Sequence, residues 1–215
     1  MKKGYEVQKK SVVSNLDFYM QDPASNQELL PLILNSIEVW DTEFQCLLAY
    51  SISKSAEKKL ISPENVGRAI SVCLNFVDNL DNDDAYKSWR EAFPKLASLM
   101  NNMGHGAQRQ MLCETLYPKI TEMIDRKQER QRRIRGCQLL KDLTQTQGAH
   151  VLMMKEHIYL FENLARESLF IFRAEMAESL GNILIQPDET EADALTGDGR
   201  YQSYALSDEN FQATY

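Results

Sequence analysis

Apolar residues return every three or four positions almost without a break from about residue 8 to 186. That is the period of an amphipathic helix, not the two-residue alternation of a strand. After Ser62-Pro63-Glu64, the residues Val66, Ile70, Cys73, Leu74 and Val77 fall on one stripe. The preceding triplet is a helix start: Ser caps, Pro takes the first turn, and an acid meets the positive end of the helix dipole. The polar run from Asp78 to Asp84 breaks the pattern, and a new helix follows through Trp89, Phe93, Leu96 and Met100. Asn101 to Gly104 ends it, with Gly104 read as a left-handed cap. Nine helices are predicted, near 8–20, 26–40, 42–57, 63–79, 84–101, 106–125, 128–146, 150–165 and 168–186.

Their starts form two interleaved series. One begins near 26, 63, 106 and 150, the other near 42, 84, 128 and 168, and each recurs at roughly forty residues, the HEAT or armadillo period. The second series carries Phe44-Gln45, Trp89-Arg90, Arg132-Arg133 and Phe172-Arg173 near its starts, followed by Ile52, Ala97, Leu140 and Leu180. Two helices of the first series carry proline near their starts, Pro31 and Pro118. Each pair has one apolar face that it cannot bury alone, so neighbours stack. Gly136, Ala174 and Ala177 are small enough for close helix approach. The expected fold is therefore all-α: an α-solenoid of about four HEAT-like helix pairs behind one leading helix, over residues 1–186. A non-repetitive helical bundle is the alternative.

Composition sharpens this. The chain has 215 residues, 43% of them hydrophobic and 26% charged, with only 9 glycines and 6 prolines. It can bury a core, and turn-rich β folds are disfavoured. The net charge of −7 is uneven. Residues 187–215 hold Asp188, Glu189, Glu191, Asp193, Asp198, Asp208 and Glu209 against Arg200 alone, which leaves the rest nearly neutral. No nucleic-acid partner is expected, since that needs a basic face. No membrane partner is expected either, since no apolar stretch approaches the length of a span. Cys46, Cys73, Cys113 and Cys137 form no C-x-x-C pair and read as free thiols in a reducing compartment. A soluble, cytoplasmic protein is the expectation. The acidic segment reads as a tail that is disordered or ordered by a partner.

With these units in hand, the chain resembles the HEAT scaffold and regulatory subunits of type-2A-like protein phosphatases, and within them the protein phosphatase 4 branch. The likeness is carried by Ser11-Val-Val-Ser-Asn-Leu-Asp-Phe-Tyr-Met20, by Arg132-Arg-Ile-Arg-Gly-Cys-Gln-Leu-Leu-Lys-Asp-Leu143 with Thr144 and Ala149-His150 after it, and by residues 173–184. Arrays of that family are much longer, and this chain is similar to an N-terminal part followed by an acidic segment the family pattern does not supply. The resemblance implies a non-catalytic scaffold, a phosphatase catalytic subunit as partner, and turns between paired helices as the contact ridge. Here those turns are Trp40-Asp41-Thr42, Asp81 to Asp84, Asp125 to Gln128 and Arg166-Glu167. The alternative is a structural subunit of a large multi-subunit assembly, cytoskeletal or ciliary, built on the same armadillo-like array.

The candidate partner-binding residues follow. Trp40, with Asp41, is either an aromatic anchor or a residue packed between repeats. Asp83 and Asp84 lie in the acidic turn. Arg126, Lys127, Arg130, Arg132 and Arg133 belong to a run of six bases and one acid ending at Arg135. That run is either a grip for an acidic protein or phosphosite, or a solvated helix start with internal pairs. Tyr201 and Tyr204 give the acidic segment something to bury. No cofactor or metal is expected: the acidic turn starting at Asp78 has Asp83 where a calcium loop needs glycine and Trp89 where it needs glutamate. His105, His150 and His157 form no ligand cluster with the cysteines. No catalytic signature is present, so no enzyme is expected.

Overall fold

A computed structural model describes residues 2–147, 161–167 and 169–185. All the regular structure among them is helical. The elements are α1 (Lys2–Ser14), α2 (Leu16–Tyr19), α3 (Pro23–Ser36), α4 (Thr42–Glu57), α5 (Pro63–Asp78), α6 (Asp83–Leu99), α7 (His105–Gln110), α8 (Tyr117–Ile124), α9 (Arg130–Gln147) and α10 (Phe170–Ile185). Residues 161–165 are helical as well, and the helix start expected near 150 lies outside the described residues. The chain divides into two units, Met1–Leu184 and Ile185–Tyr215, and the packing described below is that of the first.

Helix starts follow from short polar caps. Asp22, Asp41 and Asn82 each accept the backbone N–H three residues on, from Ser25 (2.9 Å), Phe44 (2.9 Å) and Ala85 (3.1 Å). Ser62 stands at the cap of α5 before Pro63, as the sequence implies, but its hydroxyl makes no cap bond. Its backbone N–H donates instead to Asn26 Oδ1 at 3.2 Å. Gly104 is no left-handed cap: at φ −61° and ψ 145° it is extended and opens α7. The preceding helix ends in its own 3-10 turn, Met100–Asn102, with Met103 N–H bonded to the Met100 carbonyl at 3.0 Å, so no left-handed residue is needed.

The prolines also sit deeper than expected. Pro31 lies inside α3, and Pro118 falls within a helix that runs unbroken from His105 to Ile124. Proline offers no N–H and crowds the carbonyl four residues back. The helix adapts with a π segment over Met111–Leu116, where the Tyr117 N–H reaches the Leu112 carbonyl. π turns of this kind absorb such a mismatch without breaking the helix.

Helix α5 packs on α6 and α8 on α9, while α4, α6 and α9 pack in series and α3 lies on α5. Leu30, Ile37, Leu48, Ile52, Ile70, Trp89, Phe93 and Leu96 are fully buried in a core that continues to Leu140 and Phe172. Gly136 does permit close approach: a Cβ there would meet Ile124 and Met123 side chains at 2.9 Å. Ala174 and Ala177, read the same way, are half-buried and exposed. Polar bonds cross between helices at a recurring separation. Asn65 donates to the Asn26 carbonyl (2.6 Å, 39 residues apart), Asn82 to Thr42 (3.0 Å, 40 apart) and Gln108 to Gln147 (2.8 Å, 39 apart). Cys73 and Cys137 are buried, Cys46 and Cys113 half-buried, and none of the four is in a disulfide. Burial pushes the Cys137 thiol up to about 12.

Helices α1 and α2 lead the array and pack on α4. Asp17 of α2 is buried between Lys58 (2.6 Å) and Lys54 (3.0 Å) in the last turns of α4. The Lys58 and Lys54 hydrogen bonds bring its carboxyl down to about 2. A depressed folded-state pKa stabilises above the unfolded value near 4 and is lost as pH falls toward 2. Asp17→Asn is therefore expected to lower Tm by about 2–4 °C at pH 7, from about 1 kcal/mol after solvent screening at the lysines. Circular dichroism melts of variant and parent should converge as pH drops to about 2–3.

Candidate partner-binding surface

The four inter-helix turns predicted as a ridge are brought together in chain order. Asn82, at the second turn, donates through Nδ2 to Thr42 Oγ1 (3.0 Å) and Gln45 Oε1 (3.1 Å) at the first. Gln45 in turn donates to the Trp40 carbonyl at 2.8 Å. Arg135, reaching from α9, donates to the Asn79 carbonyl (2.7 Å), the Val77 carbonyl (3.3 Å) and Asp83 (2.6 Å). Arg126 (3.0 Å) and Arg133 (2.6 Å) of the third turn and helix start both hold Glu167 of the fourth. Arg173 donates to the Glu167 carbonyl at 2.6 Å. Side-chain bonds therefore tie the second turn to the first through an asparagine amide, α9 to the second turn through Arg135, and the fourth turn to the third through Arg126.

For Arg132 and Arg133 in the basic run, the geometry fits the internal-pairing alternative. Arg133 is 8% exposed; it pairs with Glu167, donates to the Ile124 carbonyl at 3.0 Å and lies 4.3 Å over the Phe172 ring. Arg132 makes a two-pronged bond to Asp78 (2.5 and 2.8 Å) and another to Glu122 (2.7 Å). Both guanidinium groups are engaged by carboxylates 34 to 54 residues away, a pairing that sequence adjacency hides. Burial alone would raise the Asp78 carboxyl, but Arg132 and Lys119 (2.6 Å) hold it below its ordinary value. The Asp78 bond correspondingly raises Arg132.

Trp40 fits the packed alternative. Lys9 of α1 places its ammonium 3.6 Å over the ring, and Phe44 meets it edge-on at 6.0 Å. The ring is half-buried against the core. The Lys9 charge is partly desolvated there, which lowers its pKa.

What remains outward differs in sign along the row. Asp41, Asp83 and Asp84 are exposed at the first two turns, although Asp41 caps α4 and Asp83 pairs with Arg135. Lys127 and Arg130 are exposed at the third beside the exposed acids Asp125 and Glu129, and Arg126 keeps 64% of its side chain exposed despite its pair. Tyr201 and Tyr204 lie outside the described residues. The first two turns thus expose acids, and the third exposes bases and acids together. Sequence reasoning missed Asn82 as the link between turns and Asn26 with Asn65 as the polar pair between α3 and α5. The available signal was an asparagine at corresponding places in successive units, each inside or beside an apolar stripe.

Among the described residues no group of three or more His, Cys, Asp or Glu is placed to hold a metal ion, and no helix is long and apolar enough to cross a membrane. No family model, curated protein or solved structure matches this chain.

Proposed function

We propose that this protein is a non-catalytic, protein-binding scaffold of the cytoplasm: an α-solenoid of HEAT-like helix pairs whose row of turns contacts a protein partner, as a regulatory or scaffold subunit of a serine/threonine phosphatase complex. The observation that supports the reading is the set of side-chain bonds from Asn82 to Glu167, which tie the second turn to the first, α9 to the second and the fourth turn to the third. The in-series packing of α4, α6 and α9 and the bonds recurring at about forty residues support the repeat array. Such an array works by position: rigid stacking fixes the spacing of the charged groups, and a partner of matching charge docks across them.

The test is quantitative affinity purification of the tagged full chain beside a variant carrying Asp84→Lys, Lys127→Glu and Arg130→Glu. All three side chains are exposed, so the fold should survive, as circular dichroism can verify. The expected result is a stoichiometric partner retained by the parent and depleted about tenfold or more by the variant. A phosphatase catalytic subunit as that partner supports the family reading. Equal recovery by parent and variant would remove the ridge from the proposal.

A further inference from the structure

A second surface, on the other layer of helices, carries its own inference. Between α5 and the 105–124 helix runs a groove formed by two abutting cavities of about 440 and 370 Å³, which share Glu114 and Thr115. One wall is Pro63, Gly67, Ser71 and Asn75, a single stripe of α5 about 18 Å long. The opposite wall presents Gly104, Ala107, Thr115 and Pro118. Most of these side chains are small, so a backbone can come close to either wall.

The apolar lining is Met103 and Met111, both half-buried, above Leu74, which is 3% exposed and belongs to the core. Met111 starts the π segment and bridges the groove: its methyl lies 2.6 Å from where a Cβ on Gly67 would stand. Methionine is a flexible, adaptable apolar contact for a peptide. π segments are frequent at functional sites. The rim supplies charge. Glu64 and Glu114 are exposed, and Glu114 accepts a hydrogen bond from Gln110 Nε2 at 2.9 Å. The lining base, Lys119, is already engaged by Asp78 and Glu122.

We infer that this groove takes a basic amphipathic helix of a partner protein, with its apolar face on Met103 and Met111 and its cations at Glu64 and Glu114. Helix-in-groove recognition needs these parts: an apolar trough, small walls and a rim of one sign. The groove does not depend on the turn ridge, so either surface can fail without the other.

The probe is a fluorescein-labelled Leu/Lys amphipathic helix of about 12 residues, the length of the groove, titrated against the full chain by fluorescence anisotropy. An equally apolar Leu/Glu peptide serves as its counterpart. Glu64→Lys with Glu114→Lys is expected to weaken Leu/Lys binding about tenfold, while Glu28→Lys with Glu91→Lys, the same charge change on exposed residues of α3 and α6, changes it less than about twofold. Hydrogen exchange on the parent chain should slow at 63–75 and 104–118 when the Leu/Lys peptide is added. That measurement needs no variant and so stands even if a substituted chain misfolds. Absent binding, an equal loss in the Glu28/Glu91 variant, equally tight Leu/Glu binding, or protection confined to other helices would each overturn the assignment.

Discussion

Replacing Trp89 with alanine is expected to lower stability by about 4 kcal/mol, the cost of emptying a large buried aromatic site. Trp89 is fully buried and stacks on Phe76 at 5.2 Å with the rings 8° from parallel. It stands on α6, the helix that touches α4, α5 and α9, so no other helix can collapse into the void without leaving another neighbour. At this chain length that cost corresponds to a fall in Tm of about 8–15 °C in a thermal melt. Trp89→Phe is expected to cost much less, about 1 kcal/mol, because the indole Nε1 has no hydrogen-bond partner to lose. A Trp89→Phe melt as low as that of Trp89→Ala would show that the indole N–H matters after all.

Arg135→Ala is the second large effect, at about 3 kcal/mol. The side chain is 1% exposed, and its guanidinium lies 3.8 Å from the Tyr86 ring centre while it bonds two backbone carbonyls and Asp83. Removing it orphans the carbonyls of Val77 and Asn79 at the end of α5. Asp83 is well exposed and rehydrates, which keeps the cost below that of breaking a fully buried ion pair. Arg135→Lys should recover only part of the loss, since an ammonium cannot reproduce the planar fork that reaches both carbonyls and the carboxylate. Urea titration of the three proteins measures the order directly.

How much of this was legible in the sequence follows from the range of each interaction. Helix positions were legible because periodicity is local: α4, α5, α6 and α9 start within two residues of their expected places. Gly136 was legible as a close approach because a glycine in an apolar helix face has few other uses. Pro118 was misplaced because the π segment that accommodates it leaves no pattern of its own. Gly104 was misassigned because a helix end and the next helix start compete for the same few residues. The candidate surface was legible as a set of turns but not as a set of free side chains. Arg132 and Arg133 look identical to Lys127 and Arg130 in a basic run, yet their partners Asp78 and Glu167 lie 54 and 34 residues away. Trp40 was ambiguous for the same reason, since Lys9 covers it from a different helix.

The central claim is that helix pairs stack in a row and that each pair depends chiefly on its neighbours. Hydrogen exchange by mass spectrometry on Arg135→Ala tests it most directly, because Arg135 joins α9 to the α5–α6 turn. A stacked array predicts faster exchange in α8 and α9 while α3 and α4 keep the protection of the parent chain. Equal loss of protection in every helix, from α3 to α9, would contradict it and show one indivisible core.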